Sequence, residues 1–200
     1  MGNNSNSKNT ILQCALELFS ERGYDAVSVS EIVQKAGVTK PTLYYFFESK
    51  EGVFKAILEE KYELLNRKLK SIAIYSGNAN SYYDDVYPVL LRITNLYFDY
   101  YKENKTFYLM IMSFMFVPPT SQTCVMVKPY SRKHYEIITS VFSDIAKVHT
   151  MFKGKEHQYA ITFIAVINST IAYSNQIGQD LLDNREAESL VRQFMHGVFV

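Results

Sequence analysis

Lys40, Pro41, Thr42, Tyr44 and Tyr45 stand together in the segment TKPTLYYFF and have the chemistry to read double-helical DNA. A lysine at a helix start reaches a guanine edge or a phosphate, a threonine hydroxyl bonds a base or a phosphate, and a proline ring meets a thymine methyl. Ser28, Ser30, Thr39 and Lys50 lie near expected helix starts, where side-chain donors and backbone N–H groups together hold phosphate. For the two serines and Lys50 a second reading stays open, in which they only cap and solvate helix ends.

These residues need a frame, and the pattern around them supplies one. Ile11, Leu12, Ala15, Leu16, Leu18 and Phe19 recur at helical spacing up to Gly23, the residue type that most easily ends a helix left-handed. Ser28 and Glu31 have the spacing of a capping box, which sets the start of a second helix with Ile32, Val33 and Ala36 on its buried side. Gly37 permits the turn, Thr39 is placed to cap a third helix, and Pro41 falls in that helix's first turn. Leu43 and either Phe46 or Phe47 are expected to face inward. Two short helices joined by a glycine-containing turn form a helix-turn-helix.

The stretch from Ile11 to Leu58 resembles the N-terminal domain of the TetR family of bacterial repressors, through LELFSERGYDAVSVSEIVQKAGV, TKPTLYYFF and SKEGVF in register. Phe46 departs from the family, which often carries histidine or a similar polar residue there. The resemblance implies an all-α protein, with an N-terminal arm and helix-turn-helix DNA-binding domain over residues 1–52. A larger helical effector-binding and dimerisation domain is expected over 53–200, with the fourth helix bridging the two. It also implies that Tyr44 pairs with the helix core or a phosphate, while the Tyr45 hydroxyl contacts the DNA backbone. The expected function is a ligand-responsive repressor that binds a palindromic operator as a homodimer and is released by a small apolar or aromatic effector. The alternative is a co-regulator of the same fold acting through a protein partner.

The rest of the chain reads as helices with no strand pattern. The fourth is expected from Lys50 to about Ile74, with Phe54, Ile57, Leu58, Tyr62, Leu65, Leu69 and Ile72 on one stripe and no strong breaker before Gly77. Others are expected from about Asp85 to Glu103 with Pro88 in the first turn, Thr106 to Phe116, Cys124 to Val148, Glu156 to Gln179 and Arg185 to Phe199. AITFIAVINSTIAYSNQI is apolar almost all round and demands burial on every side. By the resemblance the last two helices pair with those of a second subunit, with Ala165, Ser169, Ala172, Phe194 and Val198 at the interface; the alternative is the core of a monomer. Tyr62, Tyr97, Tyr101, Phe107, Met110, Phe114, Met115, Phe142, Phe163 and Asn168 are the candidate effector lining, since an aromatic and Met-rich wall adapts to apolar ligands. Core packing is the competing reading for each.

Composition narrows the alternatives. A hydrophobic content of 48% with five prolines describes a folded helical chain, and no apolar run approaches the roughly 20 residues of a membrane span. MGNNSNSKNT lacks a signal-peptide pattern and is expected to be a short disordered arm of a cytoplasmic protein. Cys14 and Cys124 show no paired spacing, and Cys14 is expected as a small core residue. His134, His149, His157 and His196 show no metal-ligand spacing, and no nucleophile elbow or phosphate-binding glycine loop appears. No cofactor, metal site or enzymatic activity is expected. The net charge is only +1, and residues 8–50 balance five basic residues against five acidic ones, so placement rather than bulk charge must carry any DNA reading.

Overall fold

Propensity and apolar periodicity combine to make every regular element of the computed structural model a helix; it describes residues 2–77 and 81–197, with side chains from Asn6 onward. The elements are α1 (Gly2–Arg22), α2 (Val29–Ala36), α3 (Lys40–Phe47), α4 (Lys50–Ile72), α5 (Tyr82–Glu103), α6 (Lys105–Ser113), α7 (Gln122–Val148), α8 (Glu156–Ile177) and α9 (Asn184–His196). Short 3₁₀ turns occupy Phe114–Phe116 and Thr150–Phe152. Among the described residues no helix is long and apolar enough to cross a membrane.

Chain contacts divide the protein into two compact units, Met1–Glu63 with Asn104–Tyr130, and Leu64–Glu103 with Ser131–Val200. This division does not follow the 52/53 boundary of the sequence reading, because α6 and the start of α7 group with the first helices. In the first unit α1 packs on α2, α3 and α6. Ile11, Leu16, Phe19, Ile32, Leu43, Phe54 and Leu58 are buried, each worth roughly 1.5–3 kcal/mol relative to exposure. Phe19, Tyr24 and Phe54 form a triangle of rings with centroids 4.9–5.5 Å apart, and the Ser20 hydroxyl donates to the Thr106 carbonyl at 3.3 Å.

In the second unit α5 packs on α8 and α9, and α8 on α9. Phe142, Phe163 and Phe194 stack within 5.0–6.2 Å of one another, with Tyr159 against Phe152 at 4.8 Å. His134 is buried among polar partners: its Nδ1 lies 2.8 Å from Asn66 Oδ1 and its Nε2 2.6 Å from the Tyr97 hydroxyl. Because the amide oxygen only accepts, Nδ1 carries the proton and Nε2 accepts from the tyrosine. Burial pushes the imidazole down to about 4. The histidine lies on the α7 stripe with Ile138, Val141 and Ile145, and the network joins α4, α5 and α7.

Several boundaries differ from the sequence reading. The expected arm is helical from Gly2: nothing in GNNSNSKNT breaks a helix, and extending an existing one costs little, with the Thr10 hydroxyl bonded back to the Asn6 carbonyl at 2.9 Å. α4 stops at Ile72, two residues short of the expected Ile74, and the Arg92 guanidinium donates to the carbonyls of Ile72 and Ile74 at 3.2 and 2.9 Å. Ser81 caps α5 through the Asp84 N–H at 3.3 Å, so the helix starts earlier than expected and Pro88 lies inside it rather than in its first turn. α6 ends at Ser113 and gives way to 3₁₀ geometry. α9 ends at His196, where Gly197 turns to φ 78°, and the rest of its expected run to Phe199 lies outside the described residues. Cys14 is half-buried rather than fully in the core.

Candidate nucleic-acid interface

The capping box is built as its spacing implies. Ser28 Oγ accepts from the Glu31 N–H at 3.3 Å, and Glu31 Oε2 accepts from the Ser28 N–H at 2.8 Å and from its hydroxyl at 2.7 Å. Arg22 closes the other side, 2.6 Å from Glu31 Oε1 and 3.1 Å from the Ala26 carbonyl. The Ser28 hydroxyl, then Arg22, hold the Glu31 carboxyl down to about 2. Ser28 therefore spends its hydroxyl on the cap, while Ser30 is exposed on the first turn of α2. At the far end Gly37 takes φ 65° and Val38 N–H reaches back to the Val33 carbonyl at 3.0 Å, a Schellman closure that launches the chain toward α3.

Thr39 occupies the N-cap position of α3 but makes no side-chain cap bond. Pro41, which has no N–H to offer, fills the second position of the helix. The Thr39 hydroxyl instead lies 2.9 Å from that of Thr42. Lys40, Pro41, Tyr44 and Tyr45 are exposed, Tyr45 at 76%, and Thr42 is half-buried. Leu43 and Phe47 are buried, which settles the inward-facing pair as Leu43 with Phe47. Phe46 is half-buried and meets Tyr45 edge-on at 5.1 Å, so it props the outer tyrosine.

Lys50 has a different task from the expected phosphate clamp. Its ammonium donates to the Tyr24 and Val27 carbonyls, both at 2.9 Å, and lies 4.2 Å from the Tyr24 ring centre. It pins the loop that leads into α2, whose carbonyls no helix satisfies. Arg22 pairs with Glu31 and Lys35 with Glu17 at 2.9 Å. Among the described residues Lys8 and Lys40 enter no ion pair.

The candidate effector lining divides between the two units. Tyr62, Phe107 and Met110 are buried in the first, where Tyr62 meets Phe107 edge-on at 5.7 Å and stacks on Tyr130 at 5.9 Å. Phe114 packs edge-on against Phe54 at 5.9 Å. Met115, in the 3₁₀ turn, is 55% exposed and does not belong with a buried lining. In the second unit Tyr97 bonds His134, Tyr101 donates to Asn175 Oδ1 at 3.0 Å, Phe142 and Phe163 sit in the aromatic stack, and Asn168 is half-buried. His134 and Asn66 were missed as polar core residues; the apolar stripe of α7 around His134 was the available signal.

The α8 expectation also changes. One side of the helix is buried through Ala160, Phe163, Ile164, Ile167, Ile171 and Ser174, whereas Ile161, Ala165, Ser169, Tyr173 and Ile177 recur every four residues on an exposed side. Ala172 and Phe194 are half-buried, and Val198 lies outside the described residues.

Comparison with known proteins places this frame. Residues 11–57 match the model of the family described as bacterial regulatory proteins, tetR family. The Staphylococcus aureus HTH-type transcriptional regulator QacR is 37% identical over 109 residues, covering 50% of this chain and 58% of QacR. Across QacR and two Bacillus subtilis regulators, the chain spans from a quarter to just over half of each relative's length. Bacillus subtilis FadR, solved with stearoyl-CoA, shares the fold with a TM-score of 0.76 and 15% identity over 95% of this chain and 98% of that one. The TetR family regulator PfmR of Thermus thermophilus does so at 0.71 and 18%, over 95% and 96%. Residues 11–57 thus match the helix-turn-helix of the tetR family of bacterial regulatory proteins, and the helical order of the whole chain shares the fold of FadR and PfmR.

Proposed function

We propose that the protein is a ligand-responsive transcriptional repressor that binds a palindromic operator as a homodimer through α3. The observation that carries this reading is the outer face of α3. It presents a lysine, a proline and two tyrosines to solvent beside a half-buried threonine, while Leu43 and Phe47 anchor the helix from behind. Base contacts belong to Lys40, Pro41 and Thr42, and backbone contacts to Tyr44, Tyr45 and Ser30, with the start of α2 adding N–H groups toward phosphate.

In vitro selection of a duplex from a random pool, with the full chain, tests the reading. Lys40→Ala and Tyr45→Ala are expected to weaken binding to the selected duplex by about 5- to 150-fold, at about 1–3 kcal/mol per good contact. Their thermal transitions are expected to stay close to wild type because both side chains are exposed. Failure to select any duplex, or unfolding of either variant, contradicts the assignment. Since Arg22, Lys35 and Lys50 are engaged within the chain, Lys8 and Lys40 are the lysines of residues 8–50 left for phosphate, two from each subunit of a dimer. The log–log salt slope is then expected to be no steeper than about −4 in a titration of affinity against salt.

The exposed side of α8 fits a second copy of the same helix, with Ala165 and Ser169 small enough for close approach between Ile161, Tyr173 and Ile177. Tyr97, Tyr101 and Phe142, aromatic residues of α5 and α7 within the second unit, support an apolar effector. Stearoyl-CoA, the ligand in the FadR structure, is the first to assay. An effector must favour the DNA-incompetent state, and a coupling of about 1–3 kcal/mol weakens operator binding about 5- to 150-fold. Operator must weaken effector binding by the same factor, so equal effector affinity with and without operator excludes that compound.

A further inference from the structure

The junction between α3 and α4 is built under strain. Ser49 N–H donates to the Phe47 carbonyl at 2.7 Å, and Glu48 between them has φ 64° and ψ −32°. This approaches the γ-turn with positive φ, the rare and strained kind. Among the described residues Glu48 alone adopts positive φ without being glycine. The room for this turn lies at the start of α4. A Cβ on Gly52 would run into the Phe47 carbonyl oxygen and stand 3.0 Å from the carbonyl carbon, backbone atoms that cannot swing aside.

Both sides of this contact are held. Gly52 N–H donates to Ser49 Oγ at 3.0 Å and Val53 N–H to the Ser49 carbonyl at 3.1 Å, so the start of α4 is capped in place, with Val53 and Phe54 fully buried behind it. Leu43 and Phe47 bury the inner side of α3. Displacing the Phe47 carbonyl therefore disturbs the end of α3 and the turn that follows it. A glycine inside a helix costs stability relative to alanine, and a non-glycine residue at positive φ costs more; both persist only where the surroundings require them.

We propose that the Glu48 turn, made possible by the bare Cα of Gly52, is a positioning element for DNA recognition: it sets the angle at which α3 offers Lys40, Pro41, Thr42, Tyr44 and Tyr45. Neither residue belongs to the reading face. The idea rests on the DNA-binding assignment above.

The test uses the full chain and the duplex it selects. Glu48→Gly removes the strain, so its melting temperature is expected to rise by about 2–4 °C, while affinity falls about threefold because α3 is no longer held at one angle. Stability and affinity moving in opposite directions is a signature that a merely structural turn does not give. Gly52→Ala is expected to bind about tenfold or more weakly, measured per folded molecule. Adding Glu48→Gly to it is expected to recover stability but not affinity. Wild-type affinity in Glu48→Gly overturns the proposal, as does a Gly52→Ala loss fully explained by its unfolded fraction. If Lys40→Ala weakens binding in the same assay while Glu48→Gly does not, the DNA reading stands and the positioning role alone fails. If the wild type selects no duplex, both fall together.

Discussion

Ala165→Glu and Ser169→Glu variants are expected to sediment as monomers at micromolar concentration and to bind a selected operator about 10²- to 10⁴-fold more weakly than the parent. Both positions are exposed on α8 within one chain, so the charge costs the isolated subunit little, and the variants are expected to stay folded while losing the concentration-dependent part of the parent's melting temperature. Against a second copy the same carboxylate is forced into an apolar contact between Ile161, Tyr173 and Ile177, where an unpaired charge is expensive. The large loss in DNA binding comes from linkage between half-sites: once one α3 is docked, its twin binds as if at very high local concentration, and a monomer forfeits that gain. Sedimentation velocity and fluorescence anisotropy read the two effects separately. A wild-type monomer, or variants that remain dimeric, would overturn the assignment of this face.

The second large effect concerns His134. Replacing it with alanine is expected to cost about 3–5 kcal/mol, because Asn66 and Tyr97 lose their partner in the interior and a cavity opens beside them. Its pH dependence has a definite sign. The folded imidazole titrates at about 4, below the ordinary 6.5. Between those values the unfolded chain takes a proton that the folded chain refuses, so stability rises with pH across the window. It is complete above about 6.5 and is lost as pH falls toward 4. At roughly 1.4 kcal/mol per pH unit the difference amounts to roughly 3 kcal/mol. Urea unfolding at pH 7 and at pH 4.5 is expected to show this slope in the wild type and a shallower one in His134→Leu. Parallel pH dependences in the two proteins would assign the acid sensitivity elsewhere.

The helix-turn-helix was legible because its signals are local. A capping box, a glycine taking positive φ and an inward-facing apolar spacing depend on residues three to five apart, and the capping box and Gly37 turn appear in the structure as written. The roles of Lys50 and Thr39 were not legible for two different reasons. The carbonyls that Lys50 satisfies lie more than twenty residues earlier, whereas the Thr39 hydroxyl turns to the Thr42 hydroxyl rather than to a backbone N–H, a choice between two near neighbours that spacing does not decide. Gly52 gave a signal that periodicity does not register: a glycine spent inside a helix where alanine is cheaper marks a close backbone approach. The two sides of α8 are nearly equally apolar in sequence, so composition could not say which would meet its own chain.

Lys50 closing the carbonyls of the α1–α2 loop has a consequence for how such a protein diversifies. Together with the Arg22–Glu31–Ser28 cap and the Phe19–Tyr24–Phe54 rings, it lets the frame complete its own bonding without help from the outer side of α3. Residues 40, 41, 42, 44 and 45 are then released from folding duty. Substitutions there can accumulate and exchange one target sequence for another while the scaffold beneath stays the same.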